Sequence, residues 1–215
     1  MTEHDQRDER REYDGGQLER AMLDPNPLAQ FAQWLGAAKE SQVIDPTAMT
    51  LATTSADGQP TARIVLLKHF DVDGFVFYTD YESEKGQALA TNPKAELLFY
   101  WRELDRQVRI RGSVAPVDRA TSSSYFASRP LESQVSALAS HQSQVIASRA
   151  ELEAQAERVR QQSSLTMPER WGGFCLVPRQ FEFWQGRESR LHDRFRYCLP
   201  IQDRGQDWTI ERLQP

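Results

Sequence analysis

A chain of 215 residues, 39% hydrophobic and 27% charged, is long enough for one substantial core and shows no composition shift that asks for a second domain. The formal net charge of -5 argues against a general nucleic-acid binder, although a local basic pocket remains open because a ligand feels nearby groups more than the total. No apolar run approaches the roughly 20 residues that span a bilayer. The opening MTEHDQRDERRE lacks the apolar centre of a secretory signal, so no membrane partner and a cytoplasmic location are expected.

Residues 1–12 are nearly all charged or polar and read as a flexible N-terminal arm, with residues 13–215 as a single domain. Residues 27–40 place Leu28, Phe31, Trp34 and Leu35 at helical spacing. The period then shortens to two. Segments 48–54, 61–67, 75–79, 95–101 and 107–114 are rich in β-formers, and Asp57-Gly58 and Asp73-Gly74 supply hairpin turns. Residues 83–91 predict a short helix, and residues 118–160 a helical insertion ending in the charged ELEAQAERVRQQ, read as a solvated face. Strands near 173–184, 194–199 and 208–213 close the chain. Many short strands with inserted helices predict a mainly β, α+β fold: a small antiparallel barrel with helical excursions rather than a βαβ sheet. Cys175 and Cys198 fall in predicted strands and read as reduced core residues.

The densest chemistry lies at 181–194, FEFWQGRESRLHDR. Trp184 offers a flat apolar surface, Arg187, Arg190 and Arg194 offer cationic forks for phosphate or carboxylate oxygens, and His192 exchanges a proton near neutral pH. A strand with a charged surface turn has the same composition, so this segment alone leaves both readings open. Several chemistries drop out: there is no GxGxxG after a strand, Walker loop, CxxC pair or HExxH. His4, His69, His141 and His192 are too scattered to argue for zinc, and no metal is expected. DVDG at 71–74 is better read as a hairpin turn than as a calcium loop. If the protein is an enzyme, a bound organic cofactor carries the reaction.

Taken with RIVLLK at 63–68, FVFYT at 75–79, RQVRIRG at 106–112, YFASRPLESQ at 125–134, HQSQ at 141–144 and WGGF at 171–174, the EFWQG-x3-RLHDR block resembles the pyridoxine (pyridoxamine) 5'-phosphate oxidase family. The resemblance runs from about Arg10 to the C-terminus. It implies an FMN-binding split β-barrel of antiparallel, Greek-key type, a homodimer with FMN at the subunit interface, and no nucleic-acid partner. It also implies oxidation of pyridoxine 5'-phosphate or pyridoxamine 5'-phosphate by O2. In that chemistry a hydride equivalent leaves the 4'-carbon for the flavin and peroxide is released, with ammonia from the amine.

Position by position, the resemblance assigns FMN contacts to Arg63, Ile64, Val65, Leu66 and Lys68, to Tyr78 and Thr79, to Lys85 at the start of the short helix, and to Gln107, Gln142, Ser143, Trp184 and Arg194. Each has an ordinary reading too; Gln107 alternates as any half-buried strand residue would, and Ser143 is placed to cap the following helix. The substrate phosphate falls to Lys68, Tyr125, Arg129 and Ser133, with Arg190, Leu191 and His192 at its ring and reacting carbon. Arg190 and His192 are the expected catalytic pair. Tyr125, Arg129 and Ser133 recur at spacing four and would share a helix face, although Pro130 interrupts. Arg10 and Tyr13 match an element that folds over bound substrate.

One position departs from the family pattern. Ser83-Glu84-Lys85 stands where Ser-Arg-Lys is usual, placing an anion beside the flavin phosphate. At an effective dielectric near 20 and about 6 Å, one such repulsion is worth roughly 3 kcal/mol before screening. Weaker FMN retention is therefore expected. Two rivals stand beside the oxidase: a split-barrel oxidase of another aromatic substrate, such as a phenazine precursor, and a non-catalytic flavin or pyridoxal phosphate carrier.

Overall fold

The computed structural model describes residues 11–199 and 207–215. Most of the expected arm, including Arg10, lies outside the described residues. The chain divides into two compact units, a first of Met1–Pro46, Phe99–Arg109 and Gln180–Pro215 and a second of Thr47–Leu98 and Ile110–Arg179. Three of the four boundaries fall inside strands, β5 (Lys94–Trp101), β6 (Arg106–Pro116) and β7 (Trp171–Gln185). No helix among the described residues is long and apolar enough to cross a membrane.

In the second unit, β1 (Ala48–Thr54) alternates buried Met49, Leu51 and Thr53 with half-buried neighbours. It pairs antiparallel with β2 (Pro60–Leu66) in the register Ala48↔Leu66 to Thr54↔Pro60. The connecting turn places Gly58 at a φ of +87°, its amide donating to the Ser55 carbonyl at 3.0 Å, as the Asp-Gly signal predicts. β3 (His69–Phe70) and β4 (Phe75–Asp80) form a second hairpin, in which the Asp71 side chain accepts from the Asp73 and Gly74 amides. DVDG is thus a turn. The strand order is β2-β1-β5-β6-β7-β4-β3. β2 ends this order, with no fully buried residue and with Ile64 and Leu66 exposed.

The expected insertion at 118–160 is three helices. α3 (Arg119–Ser128) starts at Asp118, whose carboxylate accepts from the Thr121 amide. It stops because Pro130 disfavours the helical region for the residue before it, and Arg129 is extended at ψ 151°. α4 (Leu131–Ala139) follows directly, and α5 (Arg149–Arg160) starts at Ser148, which accepts from the Glu151 amide. Phe126, Met167 and Trp171 make one small core under α3, and Val135, Ala139 and Val159 another between α4 and α5. Between β4 and β5, α2 (Glu84–Thr91) is capped by Ser83.

In the first unit, α1 (Pro27–Glu40) begins where Asn26 accepts from the Leu28 amide and Pro27 presets the first turn. Its apolar face seats Phe31 against Phe99 at 5.0 Å and Trp34 against Phe183 at 5.2 Å between ring centres. Burying each such ring stabilises by about 1.5–3 kcal/mol. The end of β7 pairs with β8 (Asp193–Cys198) in the register Trp184↔Arg194, and β8 pairs with β9 (Thr209–Leu213). The mainly β, antiparallel reading with inserted helices holds. The two cysteines are free thiols, as read, but both are half-buried rather than core: each occupies a strand position partly open to solvent.

Candidate functional site

The second unit contains a cavity of about 680 Å³, within the range of small-molecule sites. Strands, helices and the loops between them build it. β2 presents Arg63, Ile64, Val65 and Leu66, the following turn adds Lys68, and β4 adds Tyr78 and Thr79. Lys85 enters from α2, Tyr125 from α3, Arg129 and Ser133 from the α3–α4 corner, and Gln142 from the loop after α4. Residues separated by up to 79 positions therefore meet in one place, as their joint assignment requires. The reason given for Tyr125, Arg129 and Ser133 is corrected: they do not share one helix face, because the chain breaks at Pro130. They converge through the corner between two helices instead.

The cavity is electrostatically positive and partly unsatisfied. Lys85 is buried, and burial first, then the charge of Arg63, lowers its ammonium below the ordinary value against opposing pulls from Glu84 and Asp80. Its Nζ donates to Gln142 Oε1 at 2.7 Å, and Thr79 Oγ1 donates to the same oxygen at 2.9 Å, which orients the Gln142 amide. Arg63 is fixed along its own sheet, donating to the Leu51 carbonyl at 3.1 Å, Thr53 Oγ1 at 2.7 Å and Thr61 Oγ1 at 2.6 Å. Arg129 differs: its Nη1 is buried without a hydrogen-bond partner. The guanidinium lies 4.8 Å from the ring centre of Trp171, and an unmet buried donor costs about 1–3 kcal/mol. Trp171, Tyr78 and Tyr125 are stacked, Tyr78 lying 4.0 Å from Tyr125 and 5.3 Å from Trp171. Burial raises both phenols above their ordinary value, so they remain neutral donors.

The start of α2 is less open to a phosphate than its sequence implies. The Glu84 amide donates to Ser143 Oγ at 3.3 Å and the Gly86 amide to Ser83 Oγ at 3.3 Å. Ser143 thus adds a second acceptor to the start of α2 beside its N-cap Ser83, and the helix after it is capped by Ser148 instead. Glu84 is 61% exposed and lies 3.8 Å from Arg63 Nη2. A carboxylate at a helix N-terminus favours the helix. In this position it also offsets part of the pocket's charge, and its exposure reduces the repulsion expected from sequence to the scale of a surface ion pair, about 1 kcal/mol or less.

The remaining assigned residues lie in the first unit. Gln107 is half-buried on β6. Arg194 donates to Glu182 Oε1 at 3.0 and 2.8 Å and to the Gln214 carbonyl at 3.0 Å, so it neutralises a buried carboxylate. Tyr13 packs edge-on against Trp184 at 5.6 Å and His192 at 5.2 Å. Arg190 and Leu191 are exposed on the loop between β7 and β8, where Ser189 and Arg190 both adopt left-handed φ, 54° and 62°. His192 Nδ1 accepts from the Arg187 amide at 3.1 Å. Burial, then the charges of Arg190 and Arg194, lowers the imidazole below its ordinary value.

Two contributors were missed from sequence. Trp171 stood in the WGGF motif without a role. Arg170, beside it, pairs with Asp80 at 3.1 Å and donates to the Ala137, Leu138 and Ser140 carbonyls, tying the end of α4 to the end of β4. A charged residue flanking a strand-start motif was the available signal, but nothing in the sequence pairs it with Asp80.

Residues 35–163 match the family described as pyridoxamine 5'-phosphate oxidase, and residues 171–215 match a pyridoxine 5'-phosphate oxidase C-terminal dimerisation region. Pyridoxine/pyridoxamine 5'-phosphate oxidase 1 of Hydrogenovibrio crunogenus is 52% identical over 100% of both chains. The pyridoxine/pyridoxamine 5'-phosphate oxidase of Paraburkholderia phymatum is 51% identical over 97% of this chain and 98% of its own. Among solved structures, PhzG from Burkholderia lata, in complex with tetrahydrophenazine-1-carboxylic acid, is similar at a TM-score of 0.84 and 32% identity, covering 91% of this chain and 95% of that one. A pyridoxamine 5'-phosphate oxidase-related, FMN-binding protein from Nostoc punctiforme shares the fold at a TM-score of 0.70 and 19% identity, over 90% of this chain and 99% of its own.

Proposed function

Because the chain belongs to the pyridoxamine 5'-phosphate oxidase family and has its FMN-binding split-barrel fold, we infer that it is an FMN-dependent oxidoreductase of vitamin B6 metabolism. Its reaction is the oxidation of pyridoxine 5'-phosphate or pyridoxamine 5'-phosphate to pyridoxal 5'-phosphate. FMN, when bound, supplies the acceptor for the hydride equivalent removed from the substrate's 4'-carbon, and O2 restores it with release of peroxide.

The residues present suit a planar, phosphorylated cofactor and a second anion. Arg63, Lys68 and Lys85 supply positive charge, Tyr78 supplies a hydroxyl donor, and Thr79 and Lys85 hold the Gln142 amide by its oxygen. The observation that carries the reading is that Lys68, Tyr125, Arg129 and Ser133, brought in by separate parts of the chain, line one cavity, with the Arg129 guanidinium seated on the Trp171 ring. Cationic and hydroxyl donors gathered in this way suit a phosphate. We assign the substrate phosphate to Lys68, Tyr125, Arg129 and Ser133. Gln107, Ser143, Trp184 and Arg194 complete the FMN set; Arg190, Leu191 and His192, with Tyr13 and Arg10, complete the substrate set. Arg190 orients the reacting carbon and the charge that develops there, with His192 assisting.

The same reading makes the protein a homodimer with FMN at the subunit interface. Its support is the matched dimerisation region and the exposed Ile64 and Leu66 on β2, which line the cavity. A cytoplasmic location fits the two free thiols.

The test is incubation with FMN, oxygen and pyridoxine 5'-phosphate, following pyridoxal 5'-phosphate and peroxide together. Equal amounts of both are expected. FMN binding without product would move the substrate to another aromatic anion, for which the tetrahydrophenazine carboxylate held by PhzG is the first probe.

A further inference from the structure

Asp193, at the start of β8, is an unusual junction. Its carboxylate side chain is 9% exposed, and Oδ2 accepts from the Leu18 amide at 3.0 Å and from Arg187 Nη1 at 3.0 Å. Oδ1 accepts from Arg212 Nη1 at 2.6 Å. Three remote parts of the first unit therefore end on one carboxylate. Burial alone would raise its pKa, but the Leu18 and Arg212 hydrogen bonds and the Arg187 charge outweigh it and hold the group ionised.

Arg187 makes a second contact besides the one to Asp193. Its backbone N–H donates to His192 Nδ1. A ring nitrogen that accepts a hydrogen bond carries no proton, so a neutral imidazole here has its proton on Nε2. Trp184, 4.6 Å from His192, and Tyr13 fix the ring's plane. Between Arg187 and His192 the chain passes through the left-handed Ser189 and Arg190, conformations that neither side chain favours. The β7–β8 ladder ends at Gln185↔Asp193, so beyond it the Arg187 side chain on Asp193 is a further tie across the base of this loop.

We propose that Asp193 is a positioning residue: by clamping Arg187 to the start of β8 it keeps the Arg187 amide on His192 Nδ1 and fixes His192 as a neutral donor through Nε2–H. The proposal rests on the assignment of His192 to the substrate and deepens it. The ring's one lone pair is already taken by Arg187, so His192 donates a hydrogen bond to the substrate and does not remove its proton. The lowered imidazole pKa agrees, since it keeps the ring neutral near pH 7.

The experiment uses full-length protein with FMN bound and histidine labelled with nitrogen-15, His192→Gln identifying the resonance. Wild type should show a protonated Nε2 and an unprotonated Nδ1. Asp193→Asn and Arg187→Ala should give a tautomer mixture and lower kcat roughly 10-fold, with KM and FMN affinity unchanged. Wild type carrying its proton on Nδ1 overturns the proposal without any variant. Variants that melt earlier but keep the wild-type tautomer and kcat overturn it too, because they make Asp193 purely structural. Should Asp193→Asn not fold, Arg187→Ala leaves Asp193 its Leu18 and Arg212 partners. Wild type that binds FMN but forms no pyridoxal 5'-phosphate refutes the proposed function, while the nitrogen shifts still read the tautomer.

Discussion

The cavity of the second unit and the Arg187–Asp193 loop of the first hold their functional groups by different means. In the cavity, regular elements do the placing. Arg63 is pinned across β1 and β2 by hydrogen bonds, Lys85 by burial and Gln142, and Arg129, whose buried Nη1 has no hydrogen-bond partner, rests on the Trp171 ring. In the loop, no regular element aims Arg190 or His192. Two residues of disfavoured backbone project them, and one carboxylate ties Arg187 across the base of the loop beyond the β7–β8 ladder. Charge is supplied by secondary structure, and aim by a clamp. Damage should divide the same way, with cavity changes read in binding and loop changes in turnover.

The strongest way to break that division is Arg190→Ala. It should lower kcat by at least about 100-fold while FMN still binds, since removal of one group aimed at developing charge costs on that order. Flavin fluorescence and steady-state rates measured on the same sample decide it, and near-normal turnover would end the catalytic assignment. Next comes Arg129→Met, which should raise KM for the phosphorylated substrate about 10–100-fold, the scale of one charge-assisted hydrogen bond. The melting temperature should not fall, because the lost guanidinium had a buried donor unmet. An unchanged KM would remove Arg129 from the anion site. The smallest effect belongs to Glu84→Arg. FMN should bind about fivefold tighter, equivalent to about 1 kcal/mol for an exposed charge, and riboflavin, which lacks the phosphate, should bind as before. Equal gains for both ligands would show that Glu84 acts on the fold of α2 and not on the phosphate.

The two regions were also unequally legible in the sequence. Period and turn chemistry located α1, β1 and both Asp-Gly hairpins, and the cavity residues sit on those periodic elements, so placing the elements nearly placed the site. β3 went unread because two residues carry no alternation. The insertion was read as one helical stretch because periodicity records helical character but not a change of direction, and the extended Arg129 before Pro130 was the local sign of the corner. Asp193 was read only as a letter of its motif. Its partners, Leu18, Arg187 and Arg212, lie 175, 6 and 19 positions away, and no spacing rule connects them. Glu84 was read correctly as a departure, but its exposure and its pairing with Arg63 needed coordinates.

The junction at Asp193 also fixes an order in the birth of the molecule. Every residue that lines the large cavity has left the ribosome once Trp171 emerges, whereas the carboxylate cannot gain its last partner until Arg212 emerges, roughly 2–8 s later at ordinary rates of synthesis. The nascent chain therefore owns its anion-binding walls before it owns an aimed loop.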